Sequence, residues 1–307
     1  MKARFSIVMP VYNREKYVCA AIDSVLSQTF AGYELIVVDD GSTDGTPEVL
    51  KSYGNRIKVI RQENRGPEVA RNTGAAAAQG EYIALLDSDD TFFPSALAIY
   101  DRVIQTFDSP PLIVASPLYY RDKESIPVQP ETAGPVEAFK FDDYLSKTVP
   151  LAWICSMYLI KKSVYDEIGG FRNSDARTWW GDGFDFILKL GTSGPVIIIK
   201  RPHTIAYRLH ETNSIRSLQL QADGMLGVAR AERQGLYPGG KKRRFERYAL
   251  IGGVSLTYAV SYCWRGGERR TALRLLFGTA PMILAAVIRR SLRVFQTVAR
   301  PVVISEH

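Results

Sequence analysis

The sequence predicts an α/β fold: a mixed, mainly parallel sheet flanked by helices, followed by a basic helical C-terminal region. Three observations carry this expectation. Short apolar runs of strand length alternate with segments of helical spacing between residues 5 and 107, the pattern of βαβ units and a parallel sheet. The runs Phe5 to Val11, Leu35 to Val38 and Tyr82 to Leu86 are apolar almost throughout, as strands buried on both faces must be. Two of them end in adjacent carboxylates, at the strand ends where open α/β sheets bind their ligands.

The elements follow in order. Phe5 to Asn13 is a strand closed by a turn signal, and Lys16 to Gln28 places Tyr17, Ala20, Ala21, Val25 and Leu26 at helical spacing. Glu34 to Val38 is a second buried strand, and it runs into Asp39-Asp40-Gly41-Ser42-Thr43-Asp44-Gly45, a turn rich in Gly, Ser and Thr. Ile57 to Ile60 makes a third strand, Val69 to Ala78 an alanine-rich helix, Tyr82 to Leu86 a fourth strand and Ser95 to Phe107 another helix. Pro127, Pro130 and Pro135 break the pattern between Asp122 and Pro135, which reads as a loop over the far side of the site.

The fourth strand delivers the tetrad Asp87-Ser88-Asp89-Asp90. On an extended backbone Asp87 and Asp89, two apart, point to the same side. Carboxylates so close repel one another unless a divalent cation lies between them or one takes up a proton. One or two carboxylates together with phosphate oxygens is the usual way to hold Mg²⁺ or Mn²⁺. An acidic loop capping the helix near Pro94 is the competing reading, and the surrounding motifs must decide between the two.

PVYNREKYV from Pro10, VVDDGSTDGT from Val37 and ARNTGAAAAQGEYIALLDSDD from Ala70 occur in that order with fitting spacings. Together they resemble glycosyltransferase family 2, inverting nucleotide-sugar enzymes of the GT-A (Rossmann-like) fold, over roughly residues 4 to 215. The resemblance implies a nucleoside-diphosphate sugar donor and a divalent cation, Mn²⁺ or Mg²⁺. It places Pro10, Tyr12 and Asp40 at the base-binding positions, where an aromatic ring covers a pyrimidine and a carboxylate accepts its N–H. Asp39 either binds the ribose or caps the turn that follows it. Arg71 falls near the diphosphate, with a solvated arginine on a helix face as the alternative. Asp89 matches the metal contact, Asp87 the sugar and ribose side or a metal-bound water, and Ser88 lies between them on the donor side. Asp90 is a helix-capping or supporting group.

Further along, Trp179-Trp180-Gly181-Asp182-Gly183-Phe184-Asp185 opens an amphipathic helix with an acidic start. The family carries its catalytic base here, usually as Glu-Asp. This chain has Gly181-Asp182, so the first acid is missing and the aspartate is kept. By that match Asp182 takes the proton of the acceptor hydroxyl, Asp185 is structural, and Trp179 and Trp180 form either an acceptor-sugar platform or core packing. The stretch Tyr207-Arg208-Leu209-His210 resembles the segment that closes the family's site, which makes His210 a candidate metal ligand or diphosphate contact and Arg208 a nearby cation. His203 is left as structural.

Composition sets the frame. At 307 residues and 46% hydrophobic content the chain has ample material for a packed core and is not a disordered sequence. The expected organisation is a GT-A domain over 1–237, with its nucleotide-binding part over about 1–120 and its acceptor part over about 121–237, then a basic region over 238–307. That last region holds 13 Lys and Arg against 3 Asp and Glu, so it accounts for the whole net charge of +7 and the remainder is slightly acidic. Its apolar stretches, Tyr248 to Trp264 and the segment around Pro281, are short of a membrane span. They read as amphipathic helices on an anionic leaflet or as a helical hairpin, loosely of tetratricopeptide type, packed on the catalytic domain. No aromatic-interleaved RNA motif or recognition helix accompanies the charge, which argues against nucleic acid as a partner.

Cys19, Cys155 and Cys263, odd in number and widely spaced, point to a reducing compartment, and a strand starting at residue 5 leaves no room for a signal peptide. The expected location is therefore cytoplasmic, with peripheral contact on the inner face of the membrane. The expected activity is inverting transfer from a nucleoside-diphosphate sugar, UDP-linked, to a saccharide or lipid-linked acceptor of the cell envelope or an exopolysaccharide. A non-catalytic nucleotide-sugar-binding or scaffolding subunit is the alternative that the missing acid at Gly181 encourages. A nucleotidyltransferase fits less well, because Pro10-Val11-Tyr12-Asn13 is not a glycine- and lysine-rich phosphate loop.

Overall fold

The computed structural model describes residues 3–122, 125, 127, 135–145, 154–172, 182–211, 217–292 and 302–305. Four parallel strands form one side of the main sheet: β1 (Phe5–Val11), β2 (Tyr33–Asp39), β3 (Lys58–Arg61) and β4 (Tyr82–Leu85). All seven residues of β1 are buried, so this strand lies in the middle of the core between β2 and β4. Helices α1 (Val18–Leu26), α2 (Thr46–Ser52) and α3 (Pro67–Ala76) make the crossovers. Pro67 starts α3, where its fixed φ suits a helix and its missing N–H is no loss. Gly74 then lets α3 lie close on the sheet, since a Cβ there would stand 2.5 Å from Val8 Cγ1 and 3.2 Å from Val38. That approach brings Arg71, one turn earlier on the same helix, down to the strand ends.

Beyond β4 the sheet changes character. β5 (Thr91–Phe92), α4 (Ala96–Thr106), β6 (Leu112–Val114), β7 (Pro117–Arg121), β8 (Val136–Phe141), β9 (Tyr158–Lys161) and α5 (Lys162–Glu167) follow, then α6 (Asp182–Leu190), β10 (Val196–Arg201) and β11 (Ile205–Leu209). β9 lies antiparallel between β4 and β6, and β10 pairs parallel with β6 and antiparallel with β8. The order of the nine-stranded sheet is β12-β8-β10-β6-β9-β4-β1-β2-β3, with β12 (Val302–Ile304) at its edge. The sheet is mixed as expected, and β5, β11 and β7 form a separate small sheet in that order.

Helices α7 (Leu218–Arg233), α8 (Arg244–Thr257), α9 (Arg269–Gly278) and α10 (Ala280–Leu292) follow β11, with a π-helical stretch, Tyr258–Trp264, between α8 and α9. A second apolar core gathers Met225 of α7, Ile251 of α8, Leu275 of α9 and Met282 of α10 around Phe184 and Leu188 of α6. Inside it Arg247 of α8 pairs with Glu232 of α7 at 2.6 Å, both side chains buried, and donates further to the carbonyls of Pro238 and Gly240. A buried pair is tolerable only when its remaining donors are also satisfied, as they are here. The basic C-terminal region therefore packs as helices. Its last described strand, β12, also returns to the main sheet against β8.

No single helix among the described residues is long and apolar enough to cross a membrane; α9 and α10 pass that test only together, bent by 75°. Trp179, Trp180 and Gly181 lie outside the described residues, as does most of the proline-rich segment from 122 to 135.

Candidate functional site

Because β1, β2 and β4 run parallel and adjacent, their carboxyl ends open on one edge of the sheet. A cleft of about 360 Å³ lies there, lined by Pro10, Tyr12, Arg14, Asp40, Arg71 and the Asp87-Ser88-Asp89 run, with Asn64, Gly66 and Tyr207 among its other walls. Of the seven residues expected from sequence to bind donor, six meet in this one cleft, together with Asp89, the expected metal contact; Asp39 is the exception.

The loop after β1 is clasped to the loop after β2. Asn13 N–H donates to Ser42 Oγ at 3.0 Å, Asn13 Oδ1 accepts from Thr43 N–H at 2.8 Å, and Arg14 N–H donates to Thr46 Oγ1 at 2.9 Å. This leaves the Tyr12 side chain standing at the rim, 44% exposed. Asp39 and Asp40 are adjacent on an extended strand end, so they face opposite ways. Asp40 faces the cleft, where it accepts from Gln62 Nε2 at 2.7 Å and from the N–H groups of Arg65 and Gly66 at 3.0 and 2.9 Å. It thereby fixes the turn that starts α3. Asp39 faces away, capping Ser42 N–H at 2.9 Å and pairing with Arg61 at 3.1 Å, and the structure does not bring it to the cleft.

Arg71 is buried rather than solvated. Its guanidinium lies over the Phe171 ring and donates to Asp87 Oδ1 at 2.8 Å. Asp87 is also held by its own N–H, which donates to Ser156 Oγ at 3.0 Å. The same hydroxyl donates to Asp90 Oδ2 at 2.6 Å, and Arg208 N–H donates to Asp90 Oδ1 at 3.1 Å. Burial, then the charges of Asp89 and Asp87, push the Asp90 carboxyl well above the ordinary carboxylate range. Asp90 thus ties the tetrad to the turn before β9 and to β11.

His210 follows directly on β11 and reaches back to the tetrad, its Nε2 2.9 Å from Asp89 Oδ2. Its ring stacks on Tyr17 with centroids 4.8 Å apart. Arg14 Nε approaches the same Asp89 oxygen at 3.4 Å. Burial raises the Asp89 pKa, but the His210 hydrogen bond and the Arg14 charge outweigh it, and the carboxyl is held below its ordinary value. The separation of 2.9 Å between His210 Nε2 and Asp89 Oδ2 is the spacing of neighbouring ligands around an octahedral cation with bonds of about 2.1 Å. No group of three or more His, Cys, Asp or Glu among the described residues is placed to hold an ion.

Arg14, Asn64, Gly66 and Tyr207 also line the cleft, and sequence reasoning gave none of them a role. Arg14 follows the Tyr12-Asn13 turn directly, and that adjacency was the available signal. Tyr207 enters from the small sheet, with its ring 5.4 Å from that of Tyr119 on the neighbouring strand, a placement only the topology reveals. His203 meets Ser116 Oγ at 2.9 Å on the β6 side, in keeping with a structural role. Asp182 begins α6, and its helix is seated by Phe186, stacked on Phe171 at 4.1 Å, and by Asp185, which pairs with Arg172 at 3.2 Å and accepts from Tyr237. The Arg71–Phe171–Phe186 stack therefore joins the cleft to the helix that Asp182 opens.

The family model Glycosyl transferase family 2 matches residues 6–169, more than half of the chain. The chain belongs to that family. Among individual relatives, the glycosyltransferase GlyG of Streptococcus pneumoniae serotype 4 is 37% identical over 113 residues, covering 36% of this chain and 38% of that protein. The minor teichoic acid biosynthesis protein GgaA of Bacillus subtilis is 43% identical over 107 residues, 32% of this chain and 24% of its own length. The chain thus spans well under half the length of these curated relatives.

Likeness of structure extends further. S. aureus TarS 1–349 in complex with UDP-GlcNAc superposes with a TM-score of 0.68 at 19% identity, covering 93% of this chain and 81% of that one. The Pyrobaculum calidifontis mannosyltransferase PcManGT in complex with GDP-Man and Mn²⁺ gives 0.52 at 15% identity, covering 96% and 82%. At these identities the likeness shows the fold, GT-A, as the family membership leads one to expect.

Proposed function

We propose that this member of glycosyl transferase family 2 moves a sugar from a UDP-sugar to a saccharide or lipid-linked acceptor by a single inverting displacement. The observation that carries the reading is the cleft itself: Tyr12, Asp40, Arg71, Asp87 and Asp89, contributed by three strand ends and one helix, converge on one space. The exposed Tyr12 ring is free to lie against a pyrimidine, beside the Asp40 carboxylate. Arg71 and Arg14 offer cationic donors to a diphosphate, and Asp87 stands on the sugar side. The TarS complexes with UDP and UDP-GlcNAc support a uridine donor, and the GgaA relationship supports an envelope polymer as the destination.

Asp89 and His210 would hold the divalent cation. A carboxylate beside an imidazole suits Mn²⁺ better than Mg²⁺, whose preference is for oxygen alone. When bound, the ion supplies Lewis-acid charge to the diphosphate oxygens. Asp182 is the base: it takes the proton of the acceptor hydroxyl while that oxygen bonds to the anomeric carbon and the bond from that carbon to the diphosphate oxygen breaks. UDP and the glycoside are the products.

The test is transfer from a panel of UDP-, GDP- and dTDP-sugars by the purified chain with Mn²⁺, read beside nucleotide binding. The expected result is selective binding of a UDP-sugar and metal-dependent turnover that Asp182→Asn abolishes while binding stays. Turnover persisting in Asp182→Asn would overturn the base assignment. Donor binding with no turnover in the wild type would favour the scaffolding reading.

A further inference from the structure

The C-terminal helices carry an outward face that nothing in the cleft explains. Phe277 at the end of α9 is 77% exposed, and Leu284, Val287 and Ile288 of α10 are 62%, 51% and 44% exposed. On α10 these three recur at i, i+3 and i+4, so they form one stripe rather than scattered residues. The opposite side of the helix is already satisfied: Met282 and Ala285 are buried, Met282 in the second core, and α10 lies directly on α8. Large apolar side chains on the solvent side of a packed helix mark an interaction surface.

The chemistry of the surroundings selects the partner. Residues 269–292 contain five arginines and no acidic residue. Arg270 lies two turns before Phe277 on the outward side of α9, and Arg290 flanks the stripe on α10; both are exposed, whereas Arg274 between them is already paired with Asp223 of α7. Lys241 and Lys242, also exposed, begin the same region. A protein partner with a matching apolar face would leave these cations to be paired one by one. An anionic lipid surface takes both parts together, the apolar stripe entering at the level of the headgroups and the arginines meeting phosphate around it. The 75° bend between α9 and α10 suits a pair lying along a surface rather than a rod crossing it.

We infer that the outward face of α9 and α10 docks on an anionic lipid leaflet, with Phe277, Leu284, Val287 and Ile288 inserted and Arg270 and Arg290 on the headgroups. This inference is independent of the donor and the chemistry proposed for the cleft.

Sedimentation of the full chain with vesicles tests it, comparing phosphatidylglycerol–phosphatidylcholine mixtures with phosphatidylcholine alone. Binding is expected only to the anionic mixture and to weaken as salt rises. Arg270→Glu and Arg290→Glu should each weaken it by about fivefold or more, the factor set by one surface charge. The double variant Phe277→Glu/Leu284→Glu should abolish it with the melting temperature unchanged, because neither side chain is in the core. Nucleotide binding by the same variant reports that the fold is intact. Failure to bind anionic vesicles would overturn the inference, and so would undiminished binding by the double variant. A dimer at nanomolar concentration that the double variant dissociates would assign the face to a second copy and equally overturn it.

Discussion

Arg71 and Arg270 are the same side chain put to opposite uses, and the regions they belong to differ in the same way. Arg71 is buried beneath the donor cleft and fixed against Asp87 and the Phe171 ring, whereas Arg270 projects from α9 into solvent beside apolar neighbours. At the strand ends nearly every charge is held by a second polar group: Asp40 by two backbone amides and Gln62, Asp89 by His210, Asp90 by Ser156. In the C-terminal helices the buried charges, Arg247 and Glu232, satisfy each other, and the exposed ones surround an apolar stripe. The strand ends fix their charge in position, and the C-terminal helices spread theirs over a face. A preorganised site requires the first arrangement.

Substitutions can break or sharpen this contrast, because cleft variants should lose function without melting and variants at the packed core of the C-terminal helices should melt without losing their donor. The largest effect is expected from Asp182→Asn, a loss of about 10²–10⁴ in kcat with UDP affinity nearly unchanged, read by turnover and by calorimetry. Next is Asp89→Ala, which removes one of the two groups proposed to hold a divalent cation. Donor binding in Mn²⁺ should fall by about tenfold to a hundredfold, the scale of a lost charge-assisted contact, and the difference between titrations with and without metal should vanish. Arg71→Ala follows, at about 1.5–3 kcal/mol of donor affinity, since it removes the cation proposed for the diphosphate and the guanidinium that donates to Asp87 Oδ1.

Gly252→Val probes the other region. A Cβ at Gly252 would collide with the backbone of Met282, so α8 and α10 can no longer sit together. A stability loss of about 1–3 kcal/mol is expected in a denaturant melt, with UDP binding by the folded protein retained. Tyr12→Ala is the mildest, about 1 kcal/mol of UDP affinity, and it should leave affinity for inorganic diphosphate unmoved. Equal loss for both ligands would show that Tyr12 shapes the loop rather than covering a base.

The donor edge was legible because its signals are local. Glu34 to Asp40 and Tyr82 to Asp90 each place an apolar run directly before the acids it delivers, Phe5 to Val11 places one directly before Tyr12, and the structure keeps those runs as β2, β4 and β1. What stayed hidden depends on neighbours distant in sequence. β6 and β9 are three and four residues long and buried between other strands, too short for periodicity to declare them. Asp39 and Asp40 look equivalent in sequence, and only the alternation of the strand end separates the structural acid from the cleft acid. Arg71 could be read as a solvated helix residue until Gly74 is seen to bring α3 down onto β1 and β2. The outward stripe of α10 could not be told from a core stripe, because spacing gives a helix an apolar side without saying what meets it.

The second core has a consequence of its own. Phe184 and Leu188 of α6 are enclosed by α7 and the C-terminal helices, while Asp182 opens that same helix. The residue boundary near 237 is therefore no seam along which the protein could be divided. Any surface that grips α10 also grips, through a continuous solid of side chains, the helix that Asp182 begins. On the docking proposed for α10, the angle at which the cleft meets an acceptor would be set by where the molecule stands as well as by the shape of its loops.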